Sequence, residues 1–229
     1  MQKWLYYRHN RTNNNHTMFL QLCVVLFFIN VIVKACGSEC TCVSGYLRDE
    51  KSKLSTPEAF RFYNITPYHL PVPPLDQLKA EFITANVELG SFIPPPRIID
   101  PAFIRYPQAK EGVKYTLILL DFDGFQSKGM KGYTLYALVV NVPKVDNIFL
   151  AGDMVAPFFP HAPSLGSGIH RLSALLYEQN GRIEPTNPDM LKIAISRVIP
   201  VPEEFAKMFE LGEPVAGTFF RTELKYCNN

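Results

Sequence analysis

A chain of 229 residues with 47% apolar and 19% charged residues is globular in composition, which excludes a disordered chain. Four of its 23 basic residues (Lys3, Arg8, Arg11 and Lys34) precede all 21 acidic ones, so the remainder carries 19 − 21 = −2. A nearly neutral body gives no electrostatic reason for a nucleic-acid partner.

The N-terminus reads as an address. Met18 to Val33 (MFLQLCVVLFFINVIV) is an apolar run of sixteen residues broken only by Gln21 and Asn30. Basic residues precede it, and the small residues Ala35, Gly37 and Ser38 follow, which is the pattern of a signal peptide cleaved after Ala35 or Gly37. Sixteen residues fall short of the roughly 20 needed to span a bilayer. The expectation is therefore secretion, with a membrane anchor over residues 18–33 as the alternative, and with Met18 as a second candidate start. Residues 1–37 are read as n-region and signal peptide, residues 38–55 as a linker, and residues 56–229 as a single domain. Five cysteines are present; cleavage after Ala35 leaves Cys36, Cys40, Cys42 and Cys227. A bond from Cys227 to Cys40 or Cys42 is possible, free thiols being the other reading. No cysteine–histidine spacing resembles a metal site. Asn64-Ile-Thr66 is a glycosylation sequon that a secreted chain would use. The sequons at Asn10 and Asn15 precede the apolar run.

Along the body, Thr56 to Tyr63 predicts a short helix with Thr56 as N-cap, Pro57 at the first position and Glu58 in the first turn. Pro67 to Pro74 reads as extended. Leu78 to Leu89 has period-two fragments and predicts a strand or hairpin, and Ser91 to Pro107 a proline-dense loop. Lys114 to Phe125 (KYTLILLDFDGF) is the central element. It is a strand buried on both faces that ends in Asp121 and Asp123, with Gly124 for the turn. Carboxylates at the end of a buried strand either hold a turn or face a site. Gly132 to Val142 predicts a second apolar strand and Pro143 to Gly168 a long irregular segment. Gly166-Ser-Gly-Ile-His-Arg171 is a small-residue loop delivering His170 to a third strand, Leu172 to Tyr177. Asn180 to Asp189 reads as turns, Leu191 to Ser196 as a strand, Pro202 to Phe209 as a short helix, and Val215 to Leu224 as a last strand. Many strands with few short helices make a β-rich domain.

Five stretches in order resemble the phosphatidylethanolamine-binding protein (PEBP) family. They are Tyr115 to Asp123, Leu138-Val-Val-Asn141, Gly166 to Arg171, Tyr177-Glu-Gln179 and Pro214-Val-Ala-Gly-Thr218, and the match runs over roughly Thr56 to Leu224. The resemblance implies a mainly β, PEBP-like fold: a large central antiparallel sheet packed on a smaller one, few peripheral helices, and a shallow anion pocket for a phospholipid head group. It places Asp121 and Asp123 at the two aspartates of the family's DPDxP turn, His170 at the histidine of GTGxHR, and Pro163 in the pocket-rim loop. This chain departs from the family in several places. Phe122 and Gly124-Phe125 replace the prolines of the turn, Leu135-Tyr136 a tandem histidine, and Leu172 and Phe220 two hydroxyl-bearing aromatics. The family's C-terminal helix has almost no counterpart in Lys225 to Asn229.

Losing up to three donors, each worth about 1 kcal/mol net, lowers phosphate affinity by roughly a hundredfold. Tyr136 and His161 are candidate replacement donors. The expected ligand set is Asp121, Asp123, Tyr136, His161, Pro163 and His170. The alternative of equal weight is that Asp121 and Asp123 cap the turn and His170 is a structural histidine bonded to Asp121. Ser164, Ser167 or Ser173 can be drawn with His170 and Asp121 as a hydrolase triad, but no GxSxG elbow supports it, so no enzyme, cofactor or metal is expected. The expected function is binding of a phospholipid head group or another small anionic or hydrophobic ligand in a degenerate pocket, by a monomer with at most peripheral membrane contact. The alternative is a protein-interaction module, such as a protease inhibitor or signalling modulator, with a vestigial pocket.

Overall fold

The structure, a computed structural model, describes residues 54–98, 101–124, 132–160 and 162–225. The first element is helix α1 (Thr56–Phe62). Strands β1 (Asp76–Gln77), β2 (Lys79–Phe82), β3 (Ala85–Val87), β4 (Ser91–Phe92) and β5 (Pro101–Arg105) follow. The central strands are β6 (Lys114–Asp121) and β7 (Tyr133–Val142), then β8 (Asp153–Ala156) and β9 (His170–Gln179). The chain continues through α2 (Pro188–Ser196), β10 (Val198–Ile199), α3 (Pro202–Met208) and β11 (Ala216–Thr222).

The large sheet runs β1-β11-β9-β6-β7-β10, with β4 added beside β11 and β8 beside β7. Its core strands pair antiparallel, and only the two-residue β1 and β4 run parallel to β11, so the sheet is mixed. The small sheet is β3-β2-β5. The run Tyr115–Leu120, apolar but for Thr116, is buried along its length because the large sheet is covered on both faces. On one face Leu117, Leu119, Val139, Ala174 and Phe220 meet Phe82, Val87 and Ile104 of the small sheet. On the other, Ile118, Leu138, Val140, Leu175 and Phe219 lie under α1, α2 and α3 through Phe60, Met190, Ile193 and Phe205. Phe60 packs edge-on against Phe219 with ring centroids 5.0 Å apart. Full burial of such a ring contributes roughly 1.5–3 kcal/mol.

Several expected elements take a different form. The cap of α1 is Ser55, not Thr56: the Ser55 amide and hydroxyl both donate to Glu58 Oε2, at 2.8 and 2.6 Å. Leu191 to Ser196 belongs to a helix, not a strand. Asn187 Oδ1 caps it by accepting from Asp189 N, Pro188 opens it, and Met190 and Ile193 bury one face at i, i+3. A six-residue apolar window is too short to separate period 2 from period 3.6. Ser91 to Pro107 holds β4, a 3-10 turn and β5, and Pro143 to Gly168 holds another 3-10 turn and β8. The hairpin within Leu78 to Leu89 forms as β2 and β3.

Asn141, in the Leu138–Asn141 motif, closes a buried network. It sits at φ 58°, and its amide donates to Asp153 Oδ2 at 2.8 Å and to the Ile183 carbonyl at 2.7 Å. Its Oδ1 accepts from Gln179 Nε2 at 3.0 Å and from Ile183 N at 2.9 Å.

Candidate functional site

Because β6 and β9 are antiparallel neighbours, the end of one lies beside the start of the other, and Asp121 stands opposite Leu172. That register carries His170 to Asp121, where Nδ1–H donates to Asp121 Oδ2 at 2.7 Å. Asp121 and His170 are 2% and 4% exposed. Burial pulls the His170 imidazole down, but the hydrogen bond and charge of Asp121 outweigh it, and the group sits above its ordinary value. The other imidazole nitrogen, Nε2, lies 2.7 Å from Ser167 Oγ, which also donates to the Ser164 carbonyl at 2.7 Å. A buried carboxylate, an imidazole and an exposed hydroxyl thus form one relay.

Asp123 belongs to a second network on the opposite face. It accepts from Arg171 Nε at 2.8 Å, Arg171 NH2 at 2.7 Å and the Arg171 amide at 2.9 Å. Burial would raise its carboxyl, but these bonds and the guanidinium charge hold it below its ordinary value. Arg171 also donates to the carbonyls of Tyr63 and Asn64 and to His69 Nε2. His69 must then carry its proton on Nδ1, which donates to the Tyr133 hydroxyl at 2.7 Å. Burial, then the charge of Arg171, keeps His69 below its ordinary value. Phe122, where the family turn has a proline, is buried and stacks on His69 at 4.9 Å.

Beside the relay, between the two sheets, lies a narrow crevice with a volume of about 30 Å³. Its walls include Phe82, Tyr136, Phe158, Leu172, Ala174 and Phe220. Phe82 meets Phe220 edge-on at 5.4 Å, and Phe158 lies 6.0 Å from Tyr136. Tyr136 is buried, and burial, then the charge of Asp121, pushes its hydroxyl pKa upward. A hydroxyl held so firmly protonated stays a neutral group. The side chains at positions 136, 172 and 220, where this chain departs from the PEBP pattern it resembles, line the crevice.

Of the expected ligand set, Asp121 and His170 are brought together, and Tyr136 stands close enough for Asp121 to act on its hydroxyl. Asp123 is bound to Arg171, and Pro163 is buried. His161 lies outside the described residues, as do Cys40, Cys42 and Cys227. Asn64 is exposed in the turn after α1, at φ 55°. The sequence did not point to His69 or Phe82, whose roles depend on partners far along the chain. Ser167 was visible only as one of three candidate serines. Among the described residues no group of three His, Cys, Asp or Glu side chains could hold a metal ion. Among them, too, no helix is long and apolar enough to cross a membrane.

Solved structures with the same arrangement decide the fold. An inhibitor of carboxypeptidase Y, solved in complex with its cognate proteinase, aligns over 74% of this chain and 95% of its own, with a TM-score of 0.59 at 18% identity. A phosphatidylethanolamine-binding protein from Plasmodium vivax aligns over 74% of this chain and 98% of its own, with a TM-score of 0.55 at 16% identity. This chain has the PEBP fold. The Plasmodium falciparum phosphatidylethanolamine-binding protein aligns similarly, over 72% of this chain and 95% of its own, with a TM-score of 0.54 at 14% identity. No family model matches the sequence. By sequence, the PEBP-fold chain is similar to a 26 kDa secreted antigen of Toxocara canis, 34% identical over 122 residues. That match covers 51% of this chain, and the chain spans 44% of the antigen's length.

Proposed function

We propose that this chain is a secreted, divergent member of the PEBP family that binds a small ligand with an apolar body in the crevice between its two sheets. The observation that carries this reading is the pairing of an aromatic crevice with a neighbouring His170 and Asp123 that already have partners. Phe82, Phe158 and Phe220 wall the space, while His170 is bonded through both ring nitrogens and Asp123 is held by Arg171. A phosphate needs free donors facing it. An apolar body needs only surface to cover, worth roughly 25 cal/mol per Å².

Secretion is supported by the N-terminal apolar run and by the likeness to a secreted antigen. Within this reading, residues 1–37 are the address, residues 38–55 a linker and residues 56–229 the domain. Asn64 carries a glycan, and Cys227 pairs with Cys40 or Cys42. A second reading, a protein-interaction module that blocks a protease, is favoured by the likeness to the carboxypeptidase Y inhibitor. In that case the crevice is idle and the partner sits on the outer surface.

The test is a fluorescence titration of the secreted chain with N-phenyl-1-naphthylamine, a neutral apolar probe, and with phosphorylethanolamine as competitor. Saturable probe binding that Ala80→Phe abolishes, with an unchanged melting curve, supports the crevice. Probe binding insensitive to Ala80→Phe, or displaced by phosphorylethanolamine at low concentration, refutes it.

A further inference from the structure

The geometry points to Ser167 as a nucleophile that takes an acyl or organophosphoryl group from an activated ester, with His170 as its general base. The relay has the spacing such chemistry requires: Ser167 Oγ to His170 Nε2 at 2.7 Å, and His170 Nδ1 to Asp121 Oδ2 at 2.7 Å. Nucleophilic serines are recognised by that geometry and not by their order in the chain. Here the serine lies three residues before the histidine, which no elbow motif would reveal. Asp121 is buried and acceptor-only, so it fixes the imidazole in the tautomer with Nδ1 protonated and Nε2 free to accept. Ser167 is exposed, so a substrate reaches Oγ from solvent. Leu172, two residues beyond His170, lines the apolar crevice, and this favours esters with an apolar acid or alcohol part.

Ser167 has one proton and two acceptors, His170 Nε2 and the Ser164 carbonyl. When His170 is doubly protonated, Nε2–H donates to Oγ and the hydroxyl turns to Ser164. When His170 is neutral, the hydroxyl can donate to Nε2 and become the attacking group. In the acyl reaction the Oγ–C bond forms as His170 takes the serine proton. The ester C–O bond then breaks, and the leaving alkoxide takes that proton from His170. With an organofluorophosphate the Oγ–P bond forms, the P–F bond breaks, fluoride leaves and the proton stays on His170.

The groups bearing on the imidazole are Asp121 on β6, Asp123 beyond it and Glu223 after β11, all of which favour its protonated form. Arg171 points to the other face and Tyr136 stands neutral near Asp121. Labelling must therefore rise with pH through a midpoint above the ordinary histidine value of about 6.5.

The experiment treats the secreted chain with diisopropyl fluorophosphate and, separately, with p-nitrophenyl acetate from pH 5 to 9, and maps the adduct by peptide mass spectrometry. The expected result is a single adduct on Ser167, lost in Ser167→Ala, unchanged in Ser164→Ala and slowed about a hundredfold in His170→Gln. Ser167 is exposed, so its alanine variant stays folded and keeps the test valid even where His170→Gln unfolds. Adducts elsewhere, no adduct on Ser167, or a labelling rate that rises in proportion to hydroxide with no midpoint each overturn the assignment.

Discussion

Asp121 Oδ1 accepts the backbone N–H of Asp123 at 2.9 Å, yet the two carboxylates serve opposite faces of the large sheet. Asp121 turns to His170, and Asp123 to Arg171. His170 and Arg171 are consecutive strand residues, and side chains alternate along a strand, so the two ion pairs cannot share a face. One pair backs an exposed serine; the other ties the turn after β6 to the segment after α1.

Arg171→Leu should destabilise the domain by about 2–4 kcal/mol. Asp123 would keep a largely buried charge with its guanidinium gone, and the carbonyls of Tyr63 and Asn64 would lose their donor. Urea unfolding of the two proteins checks this. A change below about 1 kcal/mol would mean that the pair is solvated and contributes little.

Asn141→Leu should cost about 3 kcal/mol or more. It removes both side-chain donors and the acceptor that hold Asp153, Gln179 and Ile183, and it places a branched residue at φ 58°. The midpoint of thermal unfolding should fall by several degrees at least. An unshifted midpoint would show that water replaces the network without loss.

Stability should depend on pH with opposite signs at the two histidines. His170 sits above its unfolded value, so its contribution is complete below about pH 6.5 and is lost as pH rises through the folded value. His69 sits below its unfolded value, so its contribution is complete above about pH 6.5 and is lost as pH falls through the folded value. Denaturation series from pH 5 to 9 should show His170→Gln flattening the alkaline limb and His69→Gln the acid limb. An alkaline slope unaltered by His170→Gln would remove the argument.

The chain wrote its buried strands plainly. Tyr115–Leu120 and Leu172–Tyr177 are apolar but for Thr116 and Ser173, and such buried runs suit a doubly covered sheet. The pairing of Asp121 with His170 was also within reach, because each closes or opens such a strand within a recognisable motif. Leu191 to Ser196 looks like a strand in isolation because few residues carry its helical period, and its cap at Asn187 lies outside the window. The commitment of Asp123 to Arg171 was not settled by spacing, since a turn can aim a carboxylate either way.

By itself the sequence determined that the body is a β-rich domain built on one buried strand ending in carboxylates, and it resembles the PEBP pattern with Tyr136, Leu172 and Phe220 in place of that pattern's polar side chains. Only the tertiary structure decided what those changes made. The apposition of the small sheet brought Phe82 from β2 edge-on against Phe220 of β11 and made an aromatic wall. It also decided which serine meets His170, because the path of the Ser164–Gly168 loop sets a 2.7 Å contact that hydrophobic periodicity does not encode. Periodicity reports which face of an element is buried; contacts between distant elements follow from how those faces stack.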